Sequence, residues 1–151
     1  MKRIILIFAI LLGFGFGNLL EAQTKTNVQV QTEKKLLAKP HRLSLQWISW
    51  EEFGSISFKK DGGVIRCEGE QISPDNGTDY LKISGTIEVI DAKTLLFDGE
   101  ILTKISHING GEECKREGEY KFVATGSRKY WRMQDTKNPC DVGADYIDIY
   151  F

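Results

Sequence analysis

Three cysteines, two histidines and one run of interleaved bases and aromatics are the residues of this chain best suited to chemistry. Cys67, Cys114 and Cys140 allow three single pairings. Cys114 follows the turn-like stretch His107 to Glu113, and Cys140 sits between Asn138-Pro139 and Asp141. Both are expected in loops. Cys67 lies within an alternating run, on its apolar side, where a cysteine behaves as a small hydrophobe. The expected disulfide is therefore Cys114–Cys140. Closing a loop of about 25 residues contributes about 3 kcal/mol in the chain-entropy view. No C-x-x-C is present, and only His41 and His107 could assist, so neither a metal site nor a cofactor is expected.

His107 lies in Ser106-His107-Ile108-Asn109-Gly110-Gly111-Glu112. A hydrolase would need a serine able to pass its proton to the histidine. Adjacent strand residues point to opposite faces, and no G-x-S-x-G accompanies the pair. His107 is thus expected to steady a turn or touch a ligand. His41, after Pro40 at the domain edge, is expected in solvent. Arg128-Lys129-Tyr130-Trp131-Arg132 could meet an anionic or sugar-like ligand, or stack single-stranded nucleic acid. The plainer alternative is a strand with a solvated cationic face and a packed Trp131. His107, Arg128, Tyr130, Trp131 and Arg132 form the candidate ligand-binding set.

These residues need elements to position them, and the patterning is that of strands. From Tyr80 to Ile90, Leu81, Ile83, Gly85, Ile87 and Val89 alternate with Lys82, Ser84, Thr86 and Glu88. After Asp91-Ala92-Lys93, Leu95, Phe97, Gly99, Ile101 and Ile105 share a face opposite Asp98, Glu100 and Lys104. The two runs read as an antiparallel hairpin that sets Gly85 opposite Gly99. Similar runs cover Ser55–Phe58, Ile65–Glu70, Tyr120–Thr125, Tyr130–Met133 and Tyr146–Phe151. The turns Lys60-Asp61-Gly62-Gly63 and Ser73-Pro74-Asp75-Asn76-Gly77 punctuate them. The expectation is an all-β fold: an up-and-down antiparallel meander of about seven or eight strands, closed into a small barrel or rolled sandwich. Gly69, Gly85 and Gly99, each mid-strand on the apolar face, mark either sharp bends or room for a ligand, with curvature favoured.

In its short strands, polar turns, apolar inner face and stapling disulfide, the pattern resembles the lipocalin or calycin type. The resemblance implies a ligand-carrying barrel. The G-x-W of lipocalins is unmatched: Gln46-Trp47 and Ser49-Trp50 lack the glycine.

The N-terminus sets the compartment. Lys2-Arg3 precedes an uncharged apolar run, Ile4 to Gly17, and Leu20-Glu21-Ala22 ends on a small residue. This is the layout of a secretory signal peptide, too short in its apolar part to span a membrane. Residues 1–22 are read as the leader, 23–41 as a polar flexible tether with a short helix around Glu33–Ala38 as the runner-up, and 42–151 as the barrel. The protein is expected to be exported, periplasmic or extracellular, and bacterial. The formal net charge of −1 gives no pull toward nucleic acid.

The functional expectation is a secreted, non-enzymatic barrel that binds a small apolar or anionic ligand or a protein partner. An outer-membrane barrel is the alternative, since alternation does not say which face is inside and the chain ends Ile147, Ile149, Phe151. Its 27% charged residues oppose that reading. Two further alternatives are an exported hydrolase and an inhibitory or structural module that works through its surface.

Overall fold

The computed structural model describes residues 27–151, so residues 1–22, expected to be a leader, and residues 23–26 lie outside the described residues. Eight antiparallel strands follow one another around a closed barrel. They are β1 (His41–Leu45), β2 (Gly54–Asp61), β3 (Val64–Ile72), β4 (Tyr80–Val89), β5 (Thr94–Lys104), β6 (Glu113–Val123), β7 (Tyr130–Met133) and β8 (Ile147–Tyr150). Closure comes from β1 pairing with β8, Leu43 opposite Ile149 and Leu45 opposite Ile147. Each strand alternates as its sequence does, and the apolar set is turned inward. Leu43, Ile56, Leu81, Ile83, Phe97, Ile101, Phe122, Trp131 and Ile149 are essentially inaccessible. The outer face carries Arg66, Glu68, Lys82, Glu88, Asp98 and Lys121, all exposed. A lipid-facing band would have to be apolar. The side left open by alternation is thereby settled, and it is the opposite of what the outer-membrane alternative requires. Among the described residues, no helix is long and apolar enough to cross a membrane.

The hairpin β4–β5 has the expected register, with Gly85 opposite Gly99. Cys67 faces Gly85 on one side, and Gly118 faces Gly99 on the other. A seam of small residues therefore crosses four strands. A Cβ on Gly85 would sit 2.8 Å from the Gly99 Cα and 2.9 Å from the Phe97 ring. One on Gly99 would sit 2.6 Å from the Gly85 Cα. The space left by the missing side chains is filled by neighbouring backbone and by Phe97. The glycines thus serve close approach and curvature rather than a central pocket.

Two stretches differ from their sequence reading. Residues 27–37 form a helix that lies over one mouth of the barrel, whereas the leading expectation there was a flexible tether. The physical reason is Leu36, fully buried in the core cluster, with Thr32 also buried on the same side. Polar composition hid a helix anchored by so few apolar residues. Its ties are the Lys60–Glu33 ion pair at 2.6 Å and a Gln29 amide donating to the Ile90 carbonyl at 3.3 Å. His41 was expected in solvent and is only 3% exposed, because it opens β1 directly beneath that helix.

The opposite mouth is closed by the long connections, residues 46–53, 73–79, 105–112 and 134–146. Cys114 and Cys140 form a disulfide there, with Sγ atoms 2.00 Å apart, and Cys67 is a buried free thiol. Cys114 does not sit in a loop: it is the second residue of β6, pointing inward. The glycines at 110 and 111 belong to a short 3-10 turn, Asn109–Gly111, and the strand starts sooner after it than the composition suggests.

Candidate recognition surface

The strands differ greatly in length. β2 to β6 run 8 to 11 residues, whereas β7, β8 and β1 run 4 or 5. Short strands offer few ladder hydrogen bonds, and here side chains supply further ties.

On the outer face, Asp148 of β8 pairs in register with Arg132 of β7 and Ser44 of β1. Arg132 Nε and Nη2 donate to the two Asp148 oxygens at 2.7 Å each, a bidentate fork. Asp148 and Ser44 are fully buried although both point away from the barrel interior. What covers them is a layer of aromatic rings. The Arg132 guanidinium lies 4.6 Å from the Tyr146 ring, 5.2 Å from Tyr130 and 5.7 Å from Trp50. Arg42 sits over Phe53 at 4.5 Å and Tyr150 at 5.1 Å. Tyr150 in turn packs against Phe53 at 5.0 Å and Tyr130 at 5.2 Å. Arg128 lies 5.6 Å from Tyr130. Desolvation opposes charge on Arg132, but the Asp148 hydrogen bonds are the larger effect and keep it firmly protonated. Its charge is spent on Asp148; Arg42 and Arg128 are the exposed cations of the patch. Trp50 is 46% exposed, a large value for a residue that soluble surfaces usually cover.

Of the candidate set, the structure gathers Arg128, Tyr130 and Arg132 on this outer platform. Trp131 is not with them. It is 1% exposed and points into the barrel, where it packs against Phe151 at 4.3 Å. Period-2 alternation within β7 makes that separation necessary. His107 is also elsewhere: it lies at the disulfide mouth, 6.0 Å from Trp47. Ser106 does not face it. The Ser106 hydroxyl donates to Asp79 at 3.1 Å and its backbone N–H to the same carboxylate at 3.0 Å. Burial acts to raise the Asp79 carboxyl, but the hydrogen bonds from Ser106 and with Asn76, together with nearby His107, leave it below the usual carboxylate range. The Ser106 hydroxyl on which the hydrolase alternative rested is therefore engaged by Asp79. Sequence reasoning missed Arg42, Trp50, Phe53, Tyr146 and Tyr150, which come from three separate segments.

At the disulfide mouth a buried polar network ties the 134–146 connection, between β7 and β8, to β6. Arg116 donates to Asp145 at 2.8 Å, with both side chains almost wholly inaccessible. Asp145 also accepts from the Trp47 indole at 3.0 Å and from the Asn138 amide. Asn138 Oδ1 accepts the N–H groups of Cys140 and Asp141. Asp141 accepts from the Asn109 and Val142 N–H groups, Asn109 first in effect, which draws its carboxyl downward.

Two open clefts mark the remaining surface. One, of about 440 Å³, lies beside the helix and includes Gln29, Glu33, Val64, Glu88 and Glu119. The other, of about 580 Å³, runs over the outside of β2 to β5 and includes Ser55, Glu68, Lys82, Ser84 and Glu100. No group of three or more His, Cys, Asp or Glu side chains is arranged to hold a metal ion among the described residues.

The model of the PM1083 family matches residues 25–151. The chain is 41% identical over 131 residues to "Uncharacterized protein PM1083" of Pasteurella multocida (strain Pm70), across 87% of this chain and 84% of that one. No solved structure matches.

Proposed function

The chain belongs to the PM1083 family, and from its barrel geometry we propose that it is an exported, non-enzymatic recognition module that binds a protein partner through the outer face of β7, β8 and β1. The observation that carries this reading is the platform of Trp50, Phe53, Tyr130, Tyr146 and Tyr150 interleaved with Arg42, Arg128 and Arg132. Trp, Tyr and Arg are the residues that dominate the energetics of protein interfaces. They expose large rigid area at little cost in conformational freedom. Arg42 and Arg128 favour an acidic partner surface. Interior small-ligand carriage is the weaker reading, because Phe97 and the strand backbones occupy the glycine seam. Export is supported by the basic-then-apolar start of the sequence and fits a disulfide, which persists in oxidising compartments.

The test is native mass spectrometry of the protein recovered from its own periplasm or culture medium. The wild type should be recovered in a stoichiometric protein complex. Trp50→Ala combined with Arg42→Glu should abolish that complex while the fold, read by circular dichroism, stands. A retained small molecule with no protein partner, or a complex indifferent to both substitutions, would defeat the proposal.

A further inference from the structure

His41 is buried, yet both of its ring nitrogens face carbonyl oxygens. Nδ1 lies 2.8 Å from the Tyr150 oxygen of β8, and Nε2 lies 3.1 Å from the Leu36 oxygen at the end of the helix over residues 27–37. Carbonyl oxygens only accept. A neutral imidazole carries one N–H, so one of its nitrogens would present a lone pair to a carbonyl in a site without solvent. The imidazolium carries two N–H groups and satisfies both. We propose that His41 is a proton-dependent latch: protonated, it ties the helix to the closing strand pair of the barrel, and on losing its proton it releases the helix from the mouth.

The surroundings are consistent with a latch of limited strength. The helix contributes one fully buried apolar side chain, Leu36, and the partly buried Leu37 packed against the core. Its remaining ties are the partly exposed Lys60–Glu33 pair, the Gln29 amide on the Ile90 carbonyl, and Lys35 stacked 3.8 Å from the Phe151 ring. Exposed ion pairs hold little. Among the described residues, the charged groups on the elements packed around His41 are Glu33, Lys34, Lys35 and Lys39 of the helix stretch, Lys59, Lys60 and Asp61 of β2, Asp148 of β8, which Arg132 engages, and Arg42 beside it in β1. Glu33 is engaged by Lys60, and Arg42 points outward over Phe53 and Tyr150. From β2, the ring meets Phe58 edge-on at 5.6 Å. No carboxylate forms an ion pair with His41 among the described residues, so the two carbonyls are the partners that distinguish its charge states.

Lifting the helix would uncover the mouth above Phe58, Trp131 and Phe151. This inference is independent of the outer platform.

Two measurements on the full mature chain decide it. Long-range nitrogen–proton NMR of the folded wild type should show both His41 nitrogens protonated at an acidic pH and one at an alkaline pH. Over the same interval, amide protection in residues 33–38, corrected for intrinsic exchange, should fall roughly tenfold, the effect of one lost buried hydrogen bond. Amides of Phe97 and Ile101 should keep theirs. In His41→Gln the helix protection, corrected in the same way, should not change with pH. A single neutral tautomer at both pH values would overturn the latch. So would a loss of protection shared by the whole barrel or retained in His41→Gln. If His41→Gln does not fold, the ring state and local exchange of the wild type decide alone.

Discussion

The two walls of this barrel are stabilised differently. The wall from β2 to β6 is made of long strands in continuous register, bent at a glycine seam, with its outer face covered by exposed ion pairs such as Lys115–Glu100 and Lys82–Glu70. The wall from β7 through β8 to β1 has strands of 4 or 5 residues, paired at two or three positions on each side. There the Arg132–Asp148 fork does what the backbone ladder cannot, while the Arg116–Asp145–Asn138 network and the disulfide fasten the 134–146 connection between β7 and β8 to β6 of the long wall. Long ladders leave side chains free to be simple solvated charges. Short ladders demand specific side chains, and specific side chains create surfaces with shape and chemistry. The platform is found on the short wall for that reason.

The comparison breaks most sharply at Asp145. Asp145→Ala leaves Arg116 buried and unpaired and takes acceptors from Trp47 and Asn138. Removing one partner of a buried pair costs about 3–5 kcal/mol, measured by urea denaturation. The matching change on the long wall, Glu100→Ala, should move the midpoint imperceptibly. Equal losses would erase the distinction between the walls.

Next in size is the staple. Cys114→Ser should cost about 3 kcal/mol in oxidising buffer, whereas Cys67→Ala acts as a modest truncation. Burial pushes the Cys67 thiol up to about 12, with a weaker opposing contribution from a Gly85 backbone hydrogen bond. The native protein should therefore resist iodoacetamide at pH 8 and react only on unfolding. Rapid native alkylation would show that the long wall opens.

The glycine seam is the long wall's own weak point. Gly85→Ala forces a Cβ against the Gly99 backbone and the Phe97 ring, an overpacking cost of about 1–3 kcal/mol. No apolar dye binding should be lost with it. Dye bound by the wild type and displaced in Gly85→Leu would restore a central pocket.

A smaller effect is set by Asp79, which joins the 73–79 loop to Ser106. Its carboxyl titrates below the usual range in the folded state, so its contribution is present above the unfolded value and is lost as pH falls through the folded one. Asp79→Asn should flatten the acid limb of the stability curve. An unchanged limb in that variant would assign it to other carboxylates. Smallest is Trp50→Ala, expected within about 0.5 kcal/mol of wild type, since the ring is half exposed and its worth lies in binding.

Legibility from sequence followed distance along the chain. The hairpin β4–β5, with Gly85 facing Gly99, was readable because alternation and a nearby turn are local signals. The disulfide partners were readable by elimination, although Cys114 was placed in a loop and lies in β6. The pentapeptide from Arg128 to Arg132 stands out by composition, but composition conceals that Trp131 and its neighbours face opposite sides. β1 was not recognised as a strand. Its five residues, HRLSL, are too few to show a period.

The sequence by itself determined which residues of each strand share a face, that the strands form a meander, and that Gly85 faces Gly99. Those follow from a two-residue period and from turn chemistry, both properties of neighbouring residues. Only the tertiary structure decided that the apolar face is the inside and that β1 closes on β8. It also decided that Arg42, Trp50, Phe53, Tyr130, Tyr146 and Tyr150 make one surface, and that His41 sits between two carbonyls. Each of these depends on segments about a hundred residues apart meeting at the closing seam of the barrel. No local pattern carries that information, because the energy that selects it arises only when the barrel is closed.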